Sequence, residues 1–138
     1  MRYAAGKFNK ERYTVKKINL FAVDDEPGIC KLFSAMLSAS KQSPKYVENG
    51  EAALNILSQE LFDIVLLDLN LSNGIQGRDL IEKIKNIIPD LKIIIVTGQL
   101  LDDSDKKELE KKGADGFLTK PVNMELLVGA IQKVKKSD

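Results

Sequence analysis

No histidine and no tryptophan occur in this 138-residue sequence, and cysteine occurs once. The missing imidazole excludes histidine-based acid–base catalysis, Ser-His-Asp triads and the common zinc sites. The single thiol, Cys30, cannot close an internal disulfide, so a reducing cytoplasm is the simplest setting, and the residue reads as a small core or near-core side chain without chemistry. There is no excess of either charge sign. With 21 basic and 20 acidic residues the formal net charge is +1, so bulk charge points to neither nucleic acid nor membrane as partner. No apolar run approaches the length of a membrane span, and the N-terminus lacks the apolar stretch of a signal peptide. With 43% hydrophobic and 30% charged residues, the chain has the composition and length of one globular domain.

Short apolar runs alternate with helical patterns, the arrangement of an α/β domain whose parallel sheet is covered by helices on both faces. The predicted strands are Ile18 to Val23, Lys45 to Glu48, Asp63 to Leu67, Lys92 to Val96 and Gly116 to Thr119. The third and fourth are continuously apolar, as central strands buried on both sides should be, whereas the second is polar enough for an edge. Five helices are expected. Ile29, Leu32, Phe33, Met36 and Leu37 form the inward stripe of the first, and Ala53, Leu54, Leu57 and Leu61 that of the second. Leu80, Ile81, Ile84, Ile87 and Ile88 face inward from the third, which stops at Pro89. The fourth, Asp102 to Lys112, opens on acids, closes on Lys111-Lys112-Gly113, and is the least apolar, so it is expected to be the most weakly anchored. The fifth starts near Asn123, with Leu126, Leu127, Ala130, Ile131 and Val134 inward. Residues 1–17 stand apart, with six basic side chains against Glu11 and with Tyr3, Phe8 and Tyr13 between them. A basic arm for a partner or nucleic acid is one reading; a mobile extension, linker or leader is the simpler one.

The most informative feature is the run Asp24-Asp25-Glu26 directly after the first strand. Adjacent carboxylates at a sheet edge are costly without a cation, and hard oxygen ligands suit Mg²⁺. Right-handed crossovers bring every strand's carboxyl end to the same edge, where open α/β sheets bind ligands. Asp68 then Asn70 follow the third strand, Thr97 then Gly98 the fourth, and Lys120 then Pro121 the fifth. Taken singly, each has an ordinary explanation: a helix-dipole acid, a loop acid, a turn threonine, a solvated lysine. Together they permit a narrow chemistry, in which a carboxylate attacks phosphorus while a cation and a lysine offset charge on the phosphoryl oxygens. Asp68 is central enough to be attacked, leaving Asp24 and Asp25 to hold metal.

Over about Lys17 to Lys136 the chain resembles the receiver domain of two-component response regulators. The resemblance is carried by Val23-Asp24-Asp25-Glu26, Leu66-Leu67-Asp68-Leu69-Asn70, Ile95-Val96-Thr97-Gly98 and the segment Gly113 to Pro121. It makes residues 18–138 a receiver domain and 1–17 an N-terminal extension. It implies a three-layer, doubly wound sheet of five parallel strands in the flavodoxin-like order 2-1-3-4-5, with five helices. It also implies that Asp68 accepts a phosphoryl group from a phosphohistidine on a sensor histidine kinase or histidine phosphotransfer protein. Asp25, Asp68 and the backbone carbonyl of Asn70 would ligate Mg²⁺ directly and Asp24 mainly through water. Lys120 would pair with a phosphoryl oxygen, and its bond to Pro121 would be cis. A Thr97/Phe117 switch would alter the surface of the fourth helix, fifth strand and fifth helix, through which an unidentified effector would be controlled and homodimers could form. Asn70 and Gln99 would set phosphoryl lifetime, and since neither is a strong base, slow to moderate self-dephosphorylation is expected. Such a module is not an enzyme beyond its own phosphorylation and dephosphorylation, and contacts neither nucleic acid nor membrane directly.

Two features depart from the family pattern. Ser72 stands where many members have proline, four residues after the acceptor, and the segment Ser72 to Gly77 is one residue longer than usual. Two other functions compete. A constitutive interaction domain of this fold would have lost the acceptor, an acid or the lysine, and all are retained. A flavin- or nucleotide-binding protein would need a phosphate loop, yet no G-x-x-x-x-G-K-[ST] occurs and no glycine-rich loop follows the first strand. A stand-alone regulator and a piece of a longer regulator or hybrid kinase both remain open.

Overall fold

The computed structural model describes residues 19–26, 31 and 45–136. Five parallel strands form one sheet: β1 (Leu20–Val23), β2 (Tyr46–Val47), β3 (Ile64–Asp68), β4 (Lys92–Thr97) and β5 (Gly116–Thr119). Their order is β2-β1-β3-β4-β5, as the resemblance implies. Four helices lie among the described residues: α1 (Gly50–Leu57), α2 (Gly77–Ile87), α3 (Asp103–Lys112) and α4 (Met124–Lys136). They are the second to fifth of those expected. The first expected helix, with Cys30, lies outside the described residues apart from Lys31, as does the basic segment 1–17.

Alternation along the central strands splits the core into two layers, because successive side chains on a strand point to opposite faces. Leu20, Ala22, Ile64, Leu66, Ile94 and Val96 pack with Leu127, Val128, Ile131 and Val134 of α4. On the other face, Phe21, Val23, Val65, Leu67, Ile93 and Ile95 pack with α1, α2 and the single buried residue of α3, Leu109. With Leu109 its one buried side chain, α3 is also tied to α2 by the ion pairs Arg78–Glu108 (3.0 Å) and Lys112–Glu82 (3.5 Å), and its ends are secured locally. Asp102 and Asp105 form a reciprocal capping box at its start. At its end Gly113 adopts φ 128°, a backbone region that disfavours side-chained residues.

Three expected core residues face outward. The α1 helix stops at Leu57, with Ser58 as its cap, so Leu61 falls past the helix and is 87% exposed. In α2 the chain leaves the helix after Ile87, which stays exposed, and Ile88 and Leu91 turn inward instead. In α4 the stripe runs through Leu127, Val128, Ile131 and Val134, leaving Leu126 half exposed. No helix among the described residues is long and apolar enough to cross a membrane.

Candidate functional site

Three strands end in the same local device. Asp24 Oδ1 accepts the Glu26 N–H at 2.8 Å, Asp68 Oδ1 the Asn70 N–H at 3.1 Å, and Thr97 Oγ1 the Gln99 N–H at 3.1 Å. Aspartate and threonine favour such turns because a short side-chain oxygen reaches the amide two residues on. The effect is to stop each strand and to hold its last polar side chain at the carboxyl edge. Asp68 and Thr97 are the final residues of β3 and β4, one position further into the strand than predicted. Asp24, Asp68 and Thr97 are also the three buried polar side chains among the described residues.

Lys120 closes the edge from β5. Its N–H donates to the Thr97 carbonyl at 2.8 Å, which fixes where its side chain leaves, and the Lys120–Pro121 bond is cis. Its Nζ lies 3.1 Å from Asp24 Oδ2, 3.3 Å from Asp68 Oδ2 and 2.5 Å from Glu26 Oε1. The Glu26 contact was not anticipated; an acid in the first turn after a strand gave only a dipole argument for it. Burial pushes the Asp68 carboxyl above its ordinary range, against the Asn70 N–H and the Lys120 charge. Burial raises Asp24 as well, against the Glu26 N–H and Lys120. For Lys120 burial works against the charged form, but hydrogen bonds to Glu26 and Asp24 and the nearby carboxylates outweigh it and hold the ammonium above its usual value.

One ammonium faces four carboxylates, since ligand oxygens of Asp24, Asp25, Glu26 and Asp68 all lie within 4.8 Å of one another. The buried Asp24 Oδ2 is 3.1 Å from Nζ yet accepts no hydrogen bond, so the ion pair is poorly aligned and the oxygen is left without a donor. An uncompensated buried carboxylate oxygen among hard oxygen donors is what a small divalent cation would satisfy. The residues present therefore fit Mg²⁺.

The remaining predicted residues follow the same strands. Asn70 and Gln99 are exposed, with Asn70 Nδ2 donating to Gln99 Oε1 at 3.5 Å. Phe117 pairs in register with Ile95, two residues before Thr97, and is half-buried with Lys106 Nζ 5.9 Å from its ring centroid. Asp25 is engaged by Ser72, whose N–H (3.1 Å) and hydroxyl both donate to Asp25 Oδ2. The sequence reading missed that contact, although the missing proline was its signal: serine has the N–H that proline lacks.

Residues 20–132 match the family described as response regulator receiver domain. Over 118 residues the chain is 33% identical to the transcriptional regulatory protein GlrR of Escherichia coli, covering 84% of this chain and 26% of that protein. It is 33% identical to the sensor histidine kinase RcsC of Salmonella typhimurium over 78% of this chain and 11% of that one. Among solved structures, the BeF3-activated DrrB receiver domain superposes with a TM-score of 0.73 at 30% identity, covering 86% of this chain and 97% of that one. The chain belongs to the response regulator receiver domain family of two-component systems. Phosphorylation and an acidic Mg²⁺ pocket are typical of that family. The chain spans about a quarter or less of the curated relatives named above.

Proposed function

We propose that this domain accepts a phosphoryl group on Asp68 from a phosphohistidine of a sensor kinase or phosphotransfer protein, and that Thr97 and Phe117 relay the change to the surface of α3, β5 and α4. The observation that carries the reading is the setting of Asp68, a buried carboxylate with Oδ1 fixed by the Asn70 N–H and Oδ2 facing Lys120 at 3.3 Å. In the transfer an Asp68 oxygen bonds to phosphorus, the P–N bond of the phosphohistidine breaks, and the departing imidazole takes a proton from solvent. Lys120 leaves its carboxylate partners to pair with a phosphoryl oxygen. Asp25, Asp68 and the Asn70 carbonyl would hold Mg²⁺, with Asp24 acting through water, and the ion would supply positive charge beside the phosphoryl oxygens.

Thr97 then exchanges the Gln99 N–H for the phosphoryl group, and Phe117 turns into the space vacated. Phosphorylation biases the output surface only through this difference in contacts between the two states. Phe117 has no phenolic hydroxyl, so packing alone holds its inward position. The domain acts in the cytoplasm on a protein effector, makes no nucleic-acid contact of its own, and can pair with a second copy through the altered surface.

Incubation with Mg²⁺ and acetyl phosphate, followed by intact mass, tests the assignment. A phosphate adduct is expected for the native chain and none for Asp68→Asn. An adduct retained in that variant would move the acceptor elsewhere.

A further inference from the structure

We propose that Ser72 is a positioning residue for the metal ligand Asp25, setting how tightly this domain holds its divalent cation before any phosphoryl group arrives. The inference rests on the metal site proposed above and adds a residue that the family pattern does not supply.

Both donors of Ser72, its N–H at 3.1 Å and its hydroxyl, converge on one oxygen, Asp25 Oδ2. Asp25 is only half-buried, and these two bonds restrict the rotation of its carboxylate. With Oδ2 occupied twice, Oδ1 is the oxygen left for a cation, and the carboxylate is ordered before the ion arrives. Outer partners of this kind orient metal ligands, and their loss typically weakens binding.

Ser72 can do this because its loop is braced from within. Gly77 N–H donates to the Leu69 carbonyl at 3.1 Å across the neck of the loop. The Gln76 side chain accepts the Leu71 N–H and donates to the Gly74 carbonyl, each at 3.3 Å. A serine 47 residues from Asp25 in sequence is thereby held at a fixed place over it. Proline at this position has neither donor, and alanine keeps one.

The test uses the unphosphorylated chain and reads metal binding directly, by calorimetric titration with Mg²⁺ and by water-proton relaxation with Mn²⁺. Ser72→Ala should weaken both metals about tenfold and Ser72→Pro more, while Ser72→Thr, which keeps both donors, should bind within about threefold of the native chain. Metal-free melting of Ser72→Ala should be unchanged within a few degrees, separating positioning from a folding role. In the metal-free protein the Ser72 amide should be protected from hydrogen exchange, and Asp25→Ala should remove that protection. Equal or tighter binding by Ser72→Ala overturns the proposal, the latter by making the contact a competitor of the metal. Absence of Mg²⁺ binding by the native chain overturns the metal site and this proposal together. Native binding with an unaffected Ser72→Ala overturns this proposal alone.

Discussion

Gly77 is packed against the backbone of Asp68. A Cβ built on Gly77 would stand 2.4 Å from the Asp68 carbonyl oxygen and 2.6 Å from Leu69 Cα. Both are main-chain atoms, so no side-chain rotation relieves the contact. Alanine gains about 1 kcal/mol or less over glycine from helix propensity, least at a first helical position. Overpacking of this kind costs about 1–3 kcal/mol. Gly77→Ala should therefore destabilise the domain by about 2 kcal/mol in urea titration. It should also slow formation of the acetyl phosphate adduct, because relief requires β3 to shift at its acceptor end. A variant as stable and as reactive as the native chain would show that the loop yields without moving Asp68.

Asp115 grips β4 at its start. Its N–H donates to the Ile93 carbonyl at 2.8 Å, and its Oδ2 accepts the Ile93 N–H at 2.9 Å and Lys85 Nζ at 3.0 Å. Asp115→Ala leaves a partly buried strand amide without an acceptor and should cost about 1–3 kcal/mol. Lys85→Met, which keeps most of the stem, should cost less than about 1 kcal/mol, since the pair is partly solvated. Both variants should still form the phosphate adduct, because this anchor lies at the opposite strand ends from Asp68. Loss of the adduct in a folded Asp115→Ala protein would contradict that separation.

The parts of the fold that sequence revealed are those where one signal dominates. Ile64 to Leu67 and Ile93 to Val96 are apolar on both faces because both faces are covered, and nothing competes with a buried strand there. The extent of α3 was readable for the same reason, as its opening acids and Gly113 act locally, although Asp102 is the cap before the helix rather than its first residue. Leu61 and Leu126 were misplaced because periodicity says which residues share a helical face but neither where the helix stops nor which of two adjacent leucines points inward. In the site, the acids, hydroxyl and ammonium were legible as residue types at strand ends. The Glu26–Lys120 contact was not, and the Ser72–Asp25 contact was signalled only by the missing proline, since both depend on loop paths that residue types do not specify. Close approach of Gly77 to Asp68 is likewise invisible in sequence, where a glycine at a helix start reads as a turn.

The weak contact between Asn70 and Gln99, at 3.5 Å, joins the exposed side chains that follow Asp68 and Thr97, whose side chains accept the Asn70 and Gln99 N–H groups. Neither amide is a base that could activate water, so their effect on an acyl phosphate must come through access. Removing both, in Asn70→Ala/Gln99→Ala, should ease the approach of water to Asp68 and shorten the phosphorylated lifetime several-fold, read by loss of the intact-mass adduct after the phosphodonor is removed. An unchanged lifetime would take both residues out of the lifetime-setting role.

Metal-free stability should depend on pH in the sense opposite to that of a paired surface acid. The folded state raises the Asp68 carboxyl above its ordinary value of 3.8, chiefly by burial, so between that value and the folded one the native protein holds more protons than the unfolded chain. Stability from this group is thus fully present below 3.8 and is lost as pH rises through the folded value. Asp24 behaves alike, for the same leading cause. In EDTA at neutral pH, Asp68→Asn should therefore melt higher than the native chain, with the gap closing as pH falls toward 3.8. Saturating Mg²⁺ should reverse the order: a ligand at one hundred times its dissociation constant contributes about 2.7 kcal/mol to the state that binds it, and the variant lacks a proposed ligand. A native chain already more stable than Asp68→Asn in EDTA at pH 7 would mean that Lys120 and the Asn70 N–H compensate the buried charge fully, and that no cation is needed to relieve it.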